Sequence, residues 1–385
     1  MQSVTIINPG KLVFGENSFE QFIADYTALG LRRLYVVSIP PVAAQIANGL
    51  DKLRQQGVSI HIDNSIAGEP SFSDFEKLLA AARDFGADSV AGIGGGSVLD
   101  VAKLIAVQIK NTQTTAEVIG IRNLKERATY LACIPTTSGT GSEVSPNALF
   151  IDDSGAKVGV ISPFLVPDAA YIDPALTLSV PASITASTGI DALTHCLEAY
   201  TNNFAHPVTD LIALEGVRLI ARYLQRACDN GRDMEARAQV ALGSMYGGMC
   251  LGPVNTAAVH ALSYPLGVTY HVPHGLSIAL LLPYVMEFNL PAAPQRHAQI
   301  GLAVGAAPGQ PDIDTALQGI ELIKQLIRSC GLPASLDELN IPFDSIDKMA
   351  EDALKIQRLL KNNVRSVTHQ DAVNIYRAAF NKVEA

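Results

Sequence analysis

Within GIDALTHCLEAYTNN, residues 189–203, Asp191 and His195 stand four apart among small and apolar neighbours. Helical spacing puts both on one face, one turn apart. A carboxylate and an imidazole in such surroundings point together at something held inside the fold. Three more histidines fit that picture. His260 lies in NTAAVHALSYPLG, an apolar helix, and His271 and His274 lie in TYHVPHGLSIALLLPYV, just before and at the start of the next helix. A lone histidine on an apolar helix is more often a satisfied core residue than a ligand, but the cluster shifts that balance. Only a tight turn separates the helices of His260 and His274, so Asp191, His195, His260 and His274 can converge. One carboxylate and three imidazoles suit Zn²⁺ or Fe²⁺, at about 2.0–2.2 Å for zinc, and an open coordination position could hold a substrate. His271 competes with His274 for the fourth place. His274 abuts a helix start with Gly275 after it and is preferred as the preorganised side chain. The remaining histidines, His61, His206, His297 and His369, sit in polar or loop-like surroundings and read as surface residues.

A second kind of chemistry is written in SVAGIGGGSVLDVAKLIAVQIKN, which reads as strand, glycine loop and helix. Gly94, Gly95 and Gly96 let the backbone approach a ligand closely, Ser97 suits an N-cap, and Asp100 can reach back to the cap. The free N–H groups of such a helix start suit a pyrophosphate. Leu99 stands where GxGxxG needs its third glycine, and no Gly-Lys-Ser/Thr, GxSxG, HExxH or EF-hand pattern occurs. In CIPTTSGTGSEVSPNALF, Thr136, Thr137, Ser138, Thr140 and Ser142 offer hydroxyls around Gly139 and Gly141. This loop follows a strand, at the end where open α/β sheets bind ligands.

The elements that must position these residues fall into two groups. Residues 4–8, 33–38, 58–63, 89–94 and 130–135 read as strands, with helices over 41–56, 72–86 and 97–109 between them. That alternation predicts βαβ units and a mostly parallel, Rossmann-like sheet covered on both faces, in a domain spanning 1–180. From about Pro181 the spacing is helical throughout, over 183–202, 207–228, 233–250, 254–266, 274–289, 312–330, 344–360 and 369–380, so 181–385 is expected to be an all-α domain.

Composition narrows the function classes. The chain of 385 residues is 48% hydrophobic and 17% charged, with a net charge of -9. This is core-rich and lacks the basic footprint of a nucleic-acid binder. Five cysteines without paired spacing suit a reducing cytoplasm. The first residues carry no basic stretch followed by an apolar run, and the longest apolar stretch, 276–286, is interrupted at Pro283. Neither export nor membrane insertion is expected.

The segments GGGSVLDVAK, PTTSGTGSEVS, DPALTLSVPASITASTGIDALTHCLEAYTNN and VHALSYPLGVTYHVPHGLSIALLLPYVMEFN, in this order, resemble the iron-containing (group III) alcohol dehydrogenases. The likeness runs from KLVFG to VTHQDAVNIYRAAF. It implies a dinucleotide-binding α/β domain of the kind shared with dehydroquinate synthase, a helical domain, and a cleft holding NAD or NADP and one divalent metal. By this resemblance Asp191, His195, His260 and His274 look like the metal ligands, and Gly95, Gly96 and Ser97 match the pyrophosphate loop. Thr136 and Thr137, with Thr140 beyond them, match the loop lining the cofactor, and Lys157 matches a lysine near the nicotinamide ribose. The implied reaction is reversible hydride transfer between a small alcohol and NAD(P), giving an aldehyde or ketone, in a homo-oligomer, expected to be a dimer. A dehydroquinate synthase-like lyase and an oxoacid-dependent transhydrogenase are the alternatives. Two positions depart from the family pattern. Ile39 follows the second strand where an acidic residue often stands, and Tyr264 replaces a frequent second histidine one turn after His260. Tyr264 shares a helix face with His260, so it is expected to position substrate.

Overall fold

Apolar runs alternate with amphipathic stretches up to residue 180, and the backbone follows that alternation. The computed structural model describes residues 3–66, 68–152, 155–309 and 311–380. They fall into two units, one of Ile6–Thr137 with Gly141–Val180, the other centred on residues 181–380 and taking in Ser138–Thr140.

The first unit runs β1 (Lys11–Phe14), α1 (Ser18–Leu29), β2 (Arg33–Val37), α2 (Pro40–Gln55), β3 (Ser59–Asp63), α3 (Phe72–Phe85), β4 (Ser89–Gly94), α4 (Gly96–Gln108), α5 (Thr115–Val118), β5 (Gly120–Ile121), β6 (Tyr130–Pro135), β7 (Asn147–Ile151), β8 (Lys157–Ile161) and β9 (Ala169–Ile172). Six strands form a parallel sheet in the order β1-β9-β6-β4-β2-β3. Alternate residues of β2 serve opposite faces: Leu34 and Val36 pack with Phe22, Ile46 and Leu50, while Tyr35 and Val37 pack with Phe75 and Leu104. Every residue of β4 is buried, as a central parallel strand requires. A smaller sheet, β5-β8-β7, holds the antiparallel pair β7–β8.

Residues 4–8 are not a strand. The edge is taken by β1, paired in parallel with β9, where Lys11 N–H donates to the Asp168 carbonyl at 2.9 Å. The alternating pattern of 4–8 satisfies the local signal for a strand, but pairing decides the edge.

Beneath the sheet's helices lies a buried polar brace. Lys103, fully buried, donates from Nζ to the Ser142 carbonyl and hydroxyl at 2.9 Å each and to the Asn147 carbonyl. Asp100 accepts from Ser142 Oγ and from Leu149 N–H at 2.8 Å. Beside them, burial pushes the Glu143 carboxyl up to about 7. The folded state therefore holds a proton on Glu143 that the unfolded chain loses near pH 4.5. Stability falls as pH rises through this window and levels off above 7. Glu143→Gln is expected to stabilise the protein by about 1–3 kcal/mol at pH 8 and by much less at pH 5. Thermal melts of both proteins at the two pH values measure this, and an equal difference at both would count against it.

The second unit is helical throughout its described residues: α6 (Ala182–Tyr200), α7 (Pro207–Asp229), α8 (Met234–Leu251), α9 (Ala258–Tyr270), α10 (His274–Asn289), α11 (Pro294–Val304), α12 (Asp312–Ser329), α13 (Ile346–Leu354), α14 (Gln357–Leu360) and α15 (His369–Ala378). The expected helix over 344–360 breaks, because α13 ends at Leu354 and Ile356 leaves helical geometry with ψ at 51°. Two expected surface histidines are buried. His206 caps α7 by accepting from Val208 N–H at 3.2 Å, and His297 Nδ1 stands 2.9 Å from the Ala293 carbonyl. Both find their partner within a few residues, so polar neighbours in the chain misled the surface assignment. The segment His274–Ala292 is long and apolar enough to cross a membrane, yet 61% of it is buried within the protein, as a core helix would be.

Candidate metal centre

Helix α6 is buried along nearly its whole second half, including Asp191 and His195. It can sit so deep because its neighbours leave room. On Gly247 of α8 a Cβ would stand 3.0 Å from the His195 Cβ, and on Gly275, in the first turn of α10, one would meet the Ser187 carbonyl at 2.3 Å. Glycine at 275 therefore lets the start of α10 lie directly against α6 and brings His274 to Asp191.

All three imidazoles face one atom. From Asp191 Oδ1 the Nε2 atoms of His260, His274 and His195 lie at 3.4, 3.6 and 3.7 Å. Four donors about 2.1 Å from a common centre stand about 3.4 Å apart in a tetrahedron, which is the spacing a bound Zn²⁺ or similar ion would need. Ligand atoms of Asp191, His195 and His260 all lie within 4.8 Å of one another. His274 stands slightly outside that triad, with a side chain 23% exposed against 4–6% for the others. The open side of the cluster is therefore the His274 side. His271, the competitor for that place, is exposed and takes a left-handed conformation that caps α9.

Asp191 Oδ1 and His260 Nε2 are buried with no hydrogen-bond partner. Buried polar atoms are rarely left so, and a bound cation would satisfy the anionic oxygen and the neighbouring imidazole lone pairs together. Electrostatics agrees. Burial alone would raise the Asp191 carboxyl, yet the surrounding imidazoles overcome this and hold it below the usual carboxylate range. Burial pushes His195 down, towards the neutral form that ligates metal.

Glu198, one turn beyond His195, completes the arrangement and escaped the sequence reading. Its Oε2 stands 2.6 Å from His260 Nδ1, and its oxygens accept from Ala257 N–H at 2.8 Å and Val259 N–H at 2.6 Å. A proton on Nδ1 shared with Glu198 leaves Nε2 free to ligate, the usual arrangement behind a metal-bound histidine. Burial would depress His260, but the Glu198 and Asp191 carboxylates outweigh it and raise the ring to about 10, so without an ion the ring carries both protons and a bound ion would displace the one on Nε2. The signal was present in the sequence: Asp191, His195 and Glu198 follow i, i+4, i+7 on one helix face.

Tyr264, on α9, has its ring centre 6.5 Å from that of His274. Its hydroxyl accepts from Arg358 Nη2 at 2.7 Å. The phenol thus neighbours His274; the arginine had no signature in the sequence, because 344–360 read as one continuous helix.

In the α/β unit the glycine loop differs in detail from expectation. Gly95, not Ser97, is the N-cap of α4, and no side chain caps that end. Asp100 turns inward to Ser142 and Leu149 instead of reaching back to the cap. The first N–H groups of α4 thus have no side-chain cap and can meet a pyrophosphate. Thr136 is buried and bonds β4 through its N–H to the Gly94 carbonyl at 2.9 Å, and Thr137 Oγ1 lies 3.4 Å from where a Cβ on Gly95 would stand. Lys157, on β8, pairs with Glu69 at 2.5 Å. Thr140, half-buried, belongs with Ser138 and Gly139 to the helical unit.

Comparison with known proteins identifies this pairing of units. A family model described as iron-containing alcohol dehydrogenase matches residues 9–174, and one described as Fe-containing alcohol dehydrogenase family, C-terminal, matches residues 185–380. The chain is 36% identical to long-chain-alcohol dehydrogenase 1 of Geobacillus thermodenitrificans, over 99% of this chain and 98% of that protein. It is 32% identical to 1,3-propanediol dehydrogenase of Klebsiella pneumoniae, over 97% of each. The solved structure of an alcohol dehydrogenase from Oenococcus oeni superposes with a TM-score of 0.95 at 30% identity, covering 98% of this chain and all of that one.

Proposed function

The chain belongs to the iron-containing alcohol dehydrogenase family and is a metal-dependent alcohol dehydrogenase, and from that premise we propose that Asp191, His195, His260 and His274 hold its divalent metal. The observation that supports this most directly is the orphaned, buried Asp191 Oδ1 facing three imidazole nitrogens at 3.4–3.7 Å. When bound, the metal supplies Lewis-acid polarisation of the substrate's alcohol or carbonyl oxygen, and the nicotinamide accepts or returns the hydride.

The chain's own residues set the conditions for this. Asp191 contributes the one negative charge of the donor set, and Glu198 orients His260. Asp191, His195 and His260 are buried, and His274 stands on the more exposed side, where substrate would approach. Gly95, Gly96 and Ser97 present backbone N–H groups to the nucleotide's pyrophosphate, and Thr136, Thr137, Thr140 and Lys157 line the remainder of the cofactor. Fe²⁺ is the metal we assign, with Zn²⁺ as the competitor that binds an N/O site more tightly. Phe204, just before α7, and Val208 and Leu211, in its first turns, are exposed apolar residues that fit a homo-oligomer whose size light scattering measures.

We assign dual nucleotide use. Ile39 follows β2 as the half-buried N-cap of α2, packed against both cores, and offers no carboxylate to adenosine ribose hydroxyls. Nothing at that position repels a 2′-phosphate. A panel of alcohols and aldehydes assayed with NAD(H) and NADP(H), with and without added Fe²⁺ or Zn²⁺, tests the whole reading. Ile39→Asp is expected to move the ratio of kcat/KM values toward NAD by about tenfold. A strongly NAD-selective wild type with an unchanged mutant would place the discriminating group elsewhere, and metal-independent turnover would refute the metal assignment.

A further inference from the structure

We propose that Asp100 and Lys103 are the positioning pair of the nucleotide site: they fix the landing end of the cofactor loop, residues 136–141, and so set how well the nicotinamide half of the dinucleotide is held, without touching it. This deepens the dehydrogenase reading above and rests on it.

The loop hangs between two anchors. It leaves β6 at Thr136, whose N–H donates to the Gly94 carbonyl at 2.9 Å, and turns through Gly141, left-handed at φ 59°, into the buried residues 142–145. The second anchor comes wholly from α4. Asp100 accepts the Ser142 hydroxyl on Oδ1 and the Leu149 N–H on Oδ2 at 2.8 Å. Lys103, one turn on, donates to the Ser142 carbonyl and hydroxyl at 2.9 Å each and to the Asn147 carbonyl. Both side chains therefore meet on one hydroxyl, and the ammonium stands 3.8 Å from Asp100 Oδ1. An ammonium has three donors, and these three acceptors occupy all of them. Neither side chain is turned toward a nucleotide; both are spent on the loop's far end.

Of the two elements so joined, α4 is the fixed one. A Cβ on Gly92 would stand 2.8 Å from the Ala102 Cβ, and one on Gly94 would stand 2.8 Å from the Val98 side chain, so α4 lies directly on β4. Its first turn closes through backbone alone, with Leu99 N–H donating to the Gly95 carbonyl at 3.1 Å. Cutting the Asp100 and Lys103 bonds thus leaves the N–H groups offered to the pyrophosphate in place and releases the loop that carries Thr136, Thr137 and Thr140. The expected consequence falls on one half of the dinucleotide.

The test separates the two halves. ADP ends at the pyrophosphate and needs only the start of α4, whereas NADH needs the loop as well. Affinities for both are measured on the metal-loaded enzyme, for NADH by its fluorescence and for ADP by calorimetry. Ser142→Ala removes the shared hydroxyl and one bond to each member of the pair, and is expected to weaken NADH binding by about three- to tenfold and ADP binding by less than about twofold. Asp100→Asn sets an NH₂ group against one of two donors and leaves Lys103 without its counter-charge, so it should weaken NADH binding by more than about tenfold. If Asp100→Asn does not fold, Ser142→Ala alone decides. NADH affinity unmoved in Ser142→Ala, or NADH and ADP affinities falling by one common factor, would overturn the proposal, since a general loosening of the fold lowers both. A wild type that binds neither nucleotide removes the dehydrogenase reading and this proposal with it. Equal losses in variants of an enzyme that binds both remove the positioning pair and leave the dehydrogenase.

Discussion

Asp191→Ala is expected to empty the metal site and reduce turnover by on the order of 10³-fold or more. The variant deletes the one anionic donor, whose Oδ1 all three imidazoles face. Lewis-acid stabilisation of developing charge contributes several kcal/mol, and each 1.4 kcal/mol is a factor of about ten. Nucleotide affinity should change little, because the glycine loop before α4 belongs to the other unit. His274→Ala should also abolish turnover but retain more metal, since Asp191, His195 and His260 remain as a buried triad. Elemental analysis, NADH fluorescence titration and initial rates separate these effects. Full activity in a chelator-treated protein shown to be metal-free would refute the assignment outright.

The contrast between what was legible in the sequence and what was not follows the range of the interactions involved. Asp191 and His195 announce themselves because both lie on one helix, where spacing alone fixes a shared face. His274 over His271 was also readable, since a helix start with glycine after it constrains direction, and the 2.3 Å approach of a Gly275 Cβ to Ser187 shows what that glycine is for. Strands β7, β8 and β9 went unread. Their identity depends on partners, β9 between β1 and β6 and β7 against β8, and not on any strong alternation of their own. The Ser97 cap failed for a related reason. Asp100, its intended reciprocal partner, is bound inward by Ser142 and Leu149, residues more than forty positions away. Arg358 illustrates the limit: nothing within its own segment indicates that its partner is Tyr264, 94 residues earlier.

Glu198 tests whether the support behind a ligand matters as much as the ligand. Its carboxylate satisfies three buried donors at once: the N–H groups of Ala257 and Val259, at the start of α9, and Nδ1 of His260. Glu198→Gln replaces one acceptor oxygen with an NH₂ group that opposes these donors, so His260 loses the bond that fixes its tautomer and ring orientation. Outer-shell substitutions of this kind cost about 10–100-fold in metal affinity. The metal-dependent share of stability should then shrink by about 1.4–2.7 kcal/mol at saturating metal. Glu198→Asp keeps the charge but is shorter by one methylene, and should fall between the two. Chelator-competition titration measures affinity, and melting with and without metal measures the linked stability. A variant whose melting temperature drops equally in both conditions, with metal affinity intact, would reduce Glu198 to a cap for α9. A smaller metal-induced rise in melting temperature, matched by the lost affinity, would establish it as the residue that holds His260 ready for the ion.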